Sequence, residues 1–282
     1  MRTGSFLSLN PHGFHRIAFT DWGDSDNDEA LMCVHGLTRN GRDFDFLAAA
    51  LAQDHRVVCP DVVGRGCSDW LDVKEDYSYT TYCTDTAALM AWLRVEHVDW
   101  VGTSMGGLIG MLLAAQPQSP IRRLVLNDVG PFIPKSALER IAGYVGTDPR
   151  FDGLAQVEAY LREVTGGFGP LNDEQWDHLV RYSVREMADG QYALMYDPAI
   201  ALAFRPAARD DIDLWAVWDK VQCPVLVLRG GESDLLLADT VAQMQTRSPQ
   251  TEVVEFGGVG HAPALMAQEQ IDVVRDWLLR SK

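Results

Sequence analysis

Ser104 lies in the run Val101-Gly102-Thr103-Ser104-Met105-Gly106-Gly107, a G-x-S-x-G pattern that crowds small residues around one hydroxyl. Between a buried strand and a helix, this pattern puts the serine on a strained turn, with Gly102 and Gly106 clearing space on either side. The following helix N-terminus favours negative charge developing beside the serine oxygen. A phosphate cradle is the competing use of such glycines, but neither G-x-G-x-x-G nor G-x-x-x-x-G-K-[ST] occurs. The chemistry expected is therefore nucleophilic attack, which requires a base to take the serine proton.

Of the seven histidines, His261 stands apart. It sits in the glycine-rich stretch "FGGVGHAPALM", after the last strand-like segment and before the last helix-like one. His12, His15, His55, His97 and His178 read as surface or capping residues, and His35, just before Gly36, suits a structural hydrogen bond. A carboxylate must then hold the imidazole tautomer, and Asp234, after "CPVLVLRGGES", is the expected one. Asp128, at the end of "LVLND", is its rival and is expected instead to hold loop backbone. The oxyanion of an acyl-transfer transition state calls for two N–H donors. Leu37, after Gly36 in "CVHGLTRN", and Met105, at the helix start, are the candidates.

No metal is expected, since His12 and His15 are spaced H-x-x-H without the glutamate of H-E-x-x-H. No cofactor is called for either. The 282 residues carry 24 basic and 40 acidic side chains, a net charge of −16 that repels phosphate backbones and anionic lipid surfaces. Nucleic acid and membrane are thus not expected partners; a small-molecule ester is, and oligomeric state is left open. The five cysteines are odd in number and irregularly spaced, which favours free thiols in a reducing compartment. With no signal-peptide-like core and no membrane-length apolar run, a cytoplasmic location is expected.

These residues need a scaffold. The first third reads as strands, "SFLSL", "HRIAFTDWG", "ALMCVHG" and "RVVCPDVVG", the first two forming a hairpin around residues 10–13. Amphipathic helices follow the third and fourth, and "VDWVG", "SMGGLIGMLLAAQ" and "IRRLVLND" continue the rhythm as strand, helix, strand. Such alternation specifies an α/β fold with a mostly parallel central sheet flanked by helices. From about Pro131 to about Arg209 only helix-like pieces succeed one another, and the sheet pattern resumes at "CPVLVLRG". This predicts a core of residues 1–130 and 210–282 interrupted by a helical cap, 131–209.

The segments "VHGL", "PDVVGRGCSD", "VGTSMGG", "LVLNDVGP", "PVLVLRGGESD" and "GVGHAP" together resemble the α/β-hydrolase family along nearly the whole chain. The resemblance implies that fold, with Ser104, Asp234 and His261 as the triad and Leu37 and Met105 as oxyanion donors. Asp61 in the second segment is expected to fix a loop. A serine nucleophile sets aside the dehalogenase and epoxide hydrolase branches, which use aspartate there. The implied activity is hydrolysis of small or medium carboxylic esters through an acyl-enzyme, with short polyester oligomers within reach. Carbon–carbon bond hydrolases, lactonases and perhydrolases of the same fold are the alternatives. A small-molecule receptor that keeps the triad is a third class, distinguished by very slow turnover and retained product. Substrate choice is expected to lie with the cap, where two or three of Tyr144, Phe168, Trp176, Tyr192, Tyr196 and Phe204 would face the site.

Overall fold

A computed structural model describes residues 1–207 and 209–280. The chain opens on a hairpin, β1 (Arg2–Asn10) and β2 (Gly13–Trp22), turning where Asn10 and Gly13 were expected to turn it. The first half of the core follows: β3 (Ala30–Val34), α1 (Asp45–Leu51), β4 (Arg56–Pro60), α2 (Tyr79–Leu93), β5 (Val98–Thr103), α3 (Met105–Ala114) and β6 (Ile121–Asn127). An inserted segment then holds β7 (Phe132–Ile133), α4 (Lys135–Ala142), β8 (Arg150–Phe151), α5 (Leu154–Val164), α6 (Asp173–Ser183), β9 (Val184–Glu186), β10 (Tyr192–Leu194), α7 (Ile200–Ala207) and β11 (Ile212–Asp213). The short helix α8 (Trp215–Trp218) leads back to β12 (Val225–Gly230), α9 (Ala238–Arg247), β13 (Thr251–Phe256) and α10 (Gln268–Leu278).

Eight strands form one sheet in the order β1-β2-β4-β3-β5-β6-β12-β13, in which only β2 runs against the others. The period-2 pleat divides the apolar runs between two cores. On one face Cys33, Cys59, Val101, Val125 and Leu228 meet α1 and α10, including Trp277. On the other Met32, Val58, Trp100, Leu126 and Val227 meet α2 and α3. Strands buried on both faces explain why their sequences are continuously apolar rather than alternating.

The inserted segment departs from the purely helical expectation. Helix α6 ends at Ser183, and β9 follows at once into a three-stranded antiparallel sheet in the order β8-β10-β9. β11 pairs with β7, so the segment's two ends are stitched together beside the core. These strands are two or three residues long, too short for a periodicity to show in sequence. Among the described residues, no helix is long and apolar enough to cross a membrane.

Candidate active site

The parallel strands deliver their following loops to the C-terminal edge, the usual place for a site in an open α/β sheet. Ser104 stands between β5 and α3 with φ +52 and ψ −114, a left-handed conformation that costs a residue with a Cβ about 1–3 kcal/mol. The glycines around it answer a steric demand. A Cβ on Gly106 would overlap the Val34 carbonyl, and one on Gly102 would overlap the Gly106 carbonyl. The turn is tied down by Ser104 N–H donating to the Asn127 carbonyl (3.0 Å) and by the buried Trp100 indole donating to the Gly106 carbonyl (3.0 Å).

His261, from the loop between β13 and α10, sets its Nε2 3.0 Å from the Ser104 Oγ. Its Nδ1 lies 2.7 Å from the Oδ2 of Asp128. The Asp234 expectation is thereby corrected: the carboxylate on His261 is Asp128. Asp128 is wholly shielded from solvent, and its two oxygens also accept from the Gly230 N–H (2.8 Å) and the Ser233 hydroxyl (2.6 Å). The loop-holding role read for it is real, and the imidazole is added to it. Asp234 keeps 47% of its side chain exposed and forms a two-pronged ion pair with Arg140 of α4, at 2.6 and 2.8 Å. Burial acts upward on its carboxyl, but the Arg140 guanidinium outweighs it and holds the group below the usual carboxylate range.

Both aspartates follow strand ends, and both satisfy the chain order Ser, Asp, His. The difference lies in strand order: β6 neighbours β5, the strand that carries Ser104, whereas β12 is one place further out. Nothing local to either aspartate announces that order.

On the opposite side of Ser104, the turn after β3 brings Gly36 close enough that its Cβ would lie 3.8 Å from the serine Cβ. His35, fully buried, shapes this turn: its Nδ1 lies 2.7 Å from the Gly36 carbonyl and its Nε2 accepts from the Val62 N–H at 2.9 Å. Burial pushes its pKa down to about 4. An unfolded chain therefore binds this proton first, and stability falls as pH drops from about 6.5 to about 4, by about 3 kcal/mol for this group. Asp61 opposes it, since burial pushes its carboxyl up to about 6 and the folded chain binds that proton first as pH falls. Urea unfolding of wild type and His35→Gln at pH 7 and pH 4 isolates the histidine: the wild type is expected to lose more stability than the variant. Equal losses would show that the folded ring binds its proton as readily as the unfolded one, so that burial does not hold it neutral. Asp61 itself accepts from the Gly41 and Cys67 N–H groups at 2.8 and 2.7 Å, the loop-fixing role expected of it.

Arg65 went unnoticed in the sequence. It is 0% exposed, and among the described residues no carboxylate is bonded to it. Its Nε donates to the Leu37 carbonyl (2.9 Å), one Nη to the Val63 carbonyl and the Tyr82 hydroxyl, and the other approaches the Met105 sulfur at 3.6 Å. The guanidinium thus ties the turn after β3 to the start of α3. The only signal in sequence was an arginine between two glycines in "VGRGCSD", which reads as an exposed turn. Asn127 was also missed: its Nδ2 bridges the Thr103 hydroxyl (2.9 Å) and the Pro263 carbonyl (2.8 Å), joining the serine turn to the histidine loop.

A model of the "alpha/beta hydrolase fold" family matches residues 29–266. The chain belongs to the α/β-hydrolase family. A protein from Cupriavidus necator described as a 3-hydroxybutyrate-oligomer hydrolase is 46% identical over 280 residues, covering 96% of each chain. A solved α/β hydrolase from Novosphingobium aromaticivorans is 37% identical, with a TM-score of 0.88 and 99% of both chains covered. A solved protein from Rickettsia typhi is 34% identical with a TM-score of 0.95, covering 100% of both. Fold and relatives together make the protein an ester hydrolase. Among the described residues, no cluster of three or more His, Cys, Asp or Glu side chains is placed to hold a metal ion. His12 and His15 of the H-x-x-H pair point to different carboxylates, Asp76 and Asp85.

Two cavities meet at Ser104 in this α/β hydrolase. The smaller, 90 Å³, is lined by His261, Thr38, Arg39, Tyr144, Phe168 and Tyr196 among others. The larger, 300 Å³, is lined mainly by aliphatic and aromatic side chains, Phe204 among them. Of the six aromatics considered from sequence, Tyr144, Phe168, Tyr196 and Phe204 face these cavities; Trp176 is packed inside the inserted segment and Tyr192 lines neither.

Proposed function

We propose that the protein hydrolyses the ester bonds of short hydroxyacid oligomers, 3-hydroxybutyrate oligomers foremost, through an acyl-enzyme on Ser104. The observation that carries the reading is the continuous chain from the Ser104 Oγ to His261 Nε2, and from His261 Nδ1 to Asp128. The Cupriavidus necator relative supports the substrate class. In the mechanism His261 takes the serine proton as Ser104 attacks the ester carbonyl, and Asp128 holds the imidazole tautomer and steadies its cation. The tetrahedral oxyanion is received by the N–H groups of Leu37 and Met105, the latter unpaired within its helix because it is the first. His261 then protonates the departing alcohol, activates water against the acyl-enzyme, and returns the proton to Ser104. The segment 131–209 acts as the cap, carrying Tyr144, Phe168, Tyr196 and Phe204 over the nucleophile.

The test is turnover of the 3-hydroxybutyrate dimer and trimer by the purified protein, with released acid titrated. Multiple turnovers, together with labelling of Ser104 by an organophosphonate, are expected. A labelled serine without turnover of either oligomer would move the substrate elsewhere, and no labelling would remove the nucleophile.

The same reading assigns Arg65 a positioning role, because it fixes the carbonyl of the residue whose N–H receives the oxyanion. Losing such a donor costs roughly 10²–10³ in kcat, and a displaced donor less, so Arg65→Met is expected to lower kcat about tenfold to a hundredfold. KM should change little, and Arg65→Lys should recover part of the rate. A loss confined to KM would place Arg65 in substrate binding instead.

A further inference from the structure

Ser104 is on the wall of both cavities, but His261 is on the wall of only the smaller. This asymmetry orients an ester, a conclusion that rests on the acyl-enzyme reading above. The departing alkoxide takes its proton from His261 Nε2, so the alcohol half must lie on the His261 side, among Thr38, Arg39 and Tyr144. The acyl half, held with its carbonyl oxygen toward Leu37 and Met105, is left to extend into the larger chamber.

That chamber is built for hydrocarbon. Its walls include Leu108, Ile133, Leu138, Ile141, Ile212 and Leu235. Three of the polar residues on its wall are committed elsewhere, and two more, Glu75 and Tyr79, are exposed to solvent. The Tyr77 hydroxyl donates to Asp197 (2.7 Å) and accepts from the Leu71 N–H, the Tyr82 hydroxyl accepts from Arg65 (3.0 Å), and the Ser78 Oγ accepts from the Thr81 N–H. A polyester chain entering it would bury ester oxygens with few partners, which is unfavourable, whereas an aliphatic chain loses nothing. Size points the same way: at roughly 30 Å³ per water-sized group, 300 Å³ houses about ten such groups, several more than one four-carbon unit supplies.

We infer that the same site hydrolyses esters of medium-chain aliphatic acids, the acyl chain occupying the chamber between Met105, Leu138 and Ile212. The bonds balance as in any acyl transfer. The Ser104 Oγ–acyl bond forms as the ester C–O bond breaks, with the serine proton passing through His261 to the alcohol. Water then supplies hydroxide to the acyl carbon as the Ser104 Oγ–acyl bond breaks, and its remaining proton passes through His261 to the departing serine oxygen.

The experiment is kcat/KM for p-nitrophenyl esters from acetate to dodecanoate, run beside the 3-hydroxybutyrate dimer. A rise of up to about fourfold per added methylene, the free energy of burying one, is expected until the chain reaches about eight to ten carbons, followed by a fall. Leu138→Trp and, at a half-buried position, Ile212→Trp should both move the optimum to shorter acids. A profile flat or falling from acetate onward, with the dimer still cleaved, overturns this inference and leaves the oligomer reading standing. An optimum unmoved in folded forms of both variants also overturns it, since the chain then lies elsewhere. Failure to turn over any ester, with Ser104 unlabelled by phosphonate, removes the acyl-enzyme reading and this inference with it.

Discussion

Ser104→Ala is expected to lower kcat about a millionfold, the scale on which a serine hydrolase loses its nucleophile. The size follows from what the hydroxyl does: without it no acyl-enzyme forms, and His261 has only bulk water to activate in a pocket shaped for a different attack. The oxyanion donors and the cavities remain, so a residual rate above that of water should persist. Steady-state hydrolysis of the 3-hydroxybutyrate dimer measures this, with circular dichroism confirming the fold. The backbone adds a second reading. Alanine at position 104 inherits the same φ of +52, so Ser104→Ala should melt close to wild type, while Ser104→Gly should be equally inactive yet more stable by about 1 kcal/mol. A Ser104→Ala variant that retained more than about one part in a thousand of wild-type activity would mean another group attacks.

The second large effect separates the two aspartates. Asp128→Asn is expected to lower kcat about ten-thousandfold with KM nearly unchanged, because the amide leaves His261 in the wrong tautomer. Asp128 receives three donors, from Gly230, Ser233 and His261. An asparagine has one acceptor oxygen for them and turns an N–H₂ toward at least one donor, so either the loop or the imidazole loses its partner. Asp234→Asn breaks an exposed ion pair with Arg140, worth at most about 1 kcal/mol, and should change kcat by no more than about fivefold. Parallel kcat and KM measurements on the two variants decide between them. A large loss in Asp234→Asn with a small one in Asp128→Asn would restore the original expectation and mean that the Asp128 contact serves only the loop.

Local sequence carried much of the architecture. The apolar runs of β3 to β6 and their intervening helices could be read directly, because strands buried on both faces and helices with one apolar stripe leave patterns within ten residues. The hairpin of β1 and β2 was equally legible from its turn residues. The short strands β8 to β10 were not, since two or three residues carry no period and their pairing joins Arg150 to Ala193 across the intervening helices. Ser104 was legible for a steric reason: a strained strand-to-helix turn demands glycines two positions either side. His261 was legible by elimination, as the histidine in a glycine-rich loop after the last strand.

What the sequence by itself determined is therefore whatever neighbours in the chain enforce: the alternation of strands and helices, the serine turn with its glycines, and the loop that carries the histidine. Only the tertiary structure decided which carboxylate His261 meets, that Arg65 is buried against the turn after β3, and that two chambers of unlike chemistry share one serine. Each of these depends on groups distant in the chain, among them Asp128 and His261, 133 positions apart. Coulomb attraction and hydrogen bonding act over a few ångströms of space, and the order of strands in the sheet sets which groups come within that reach.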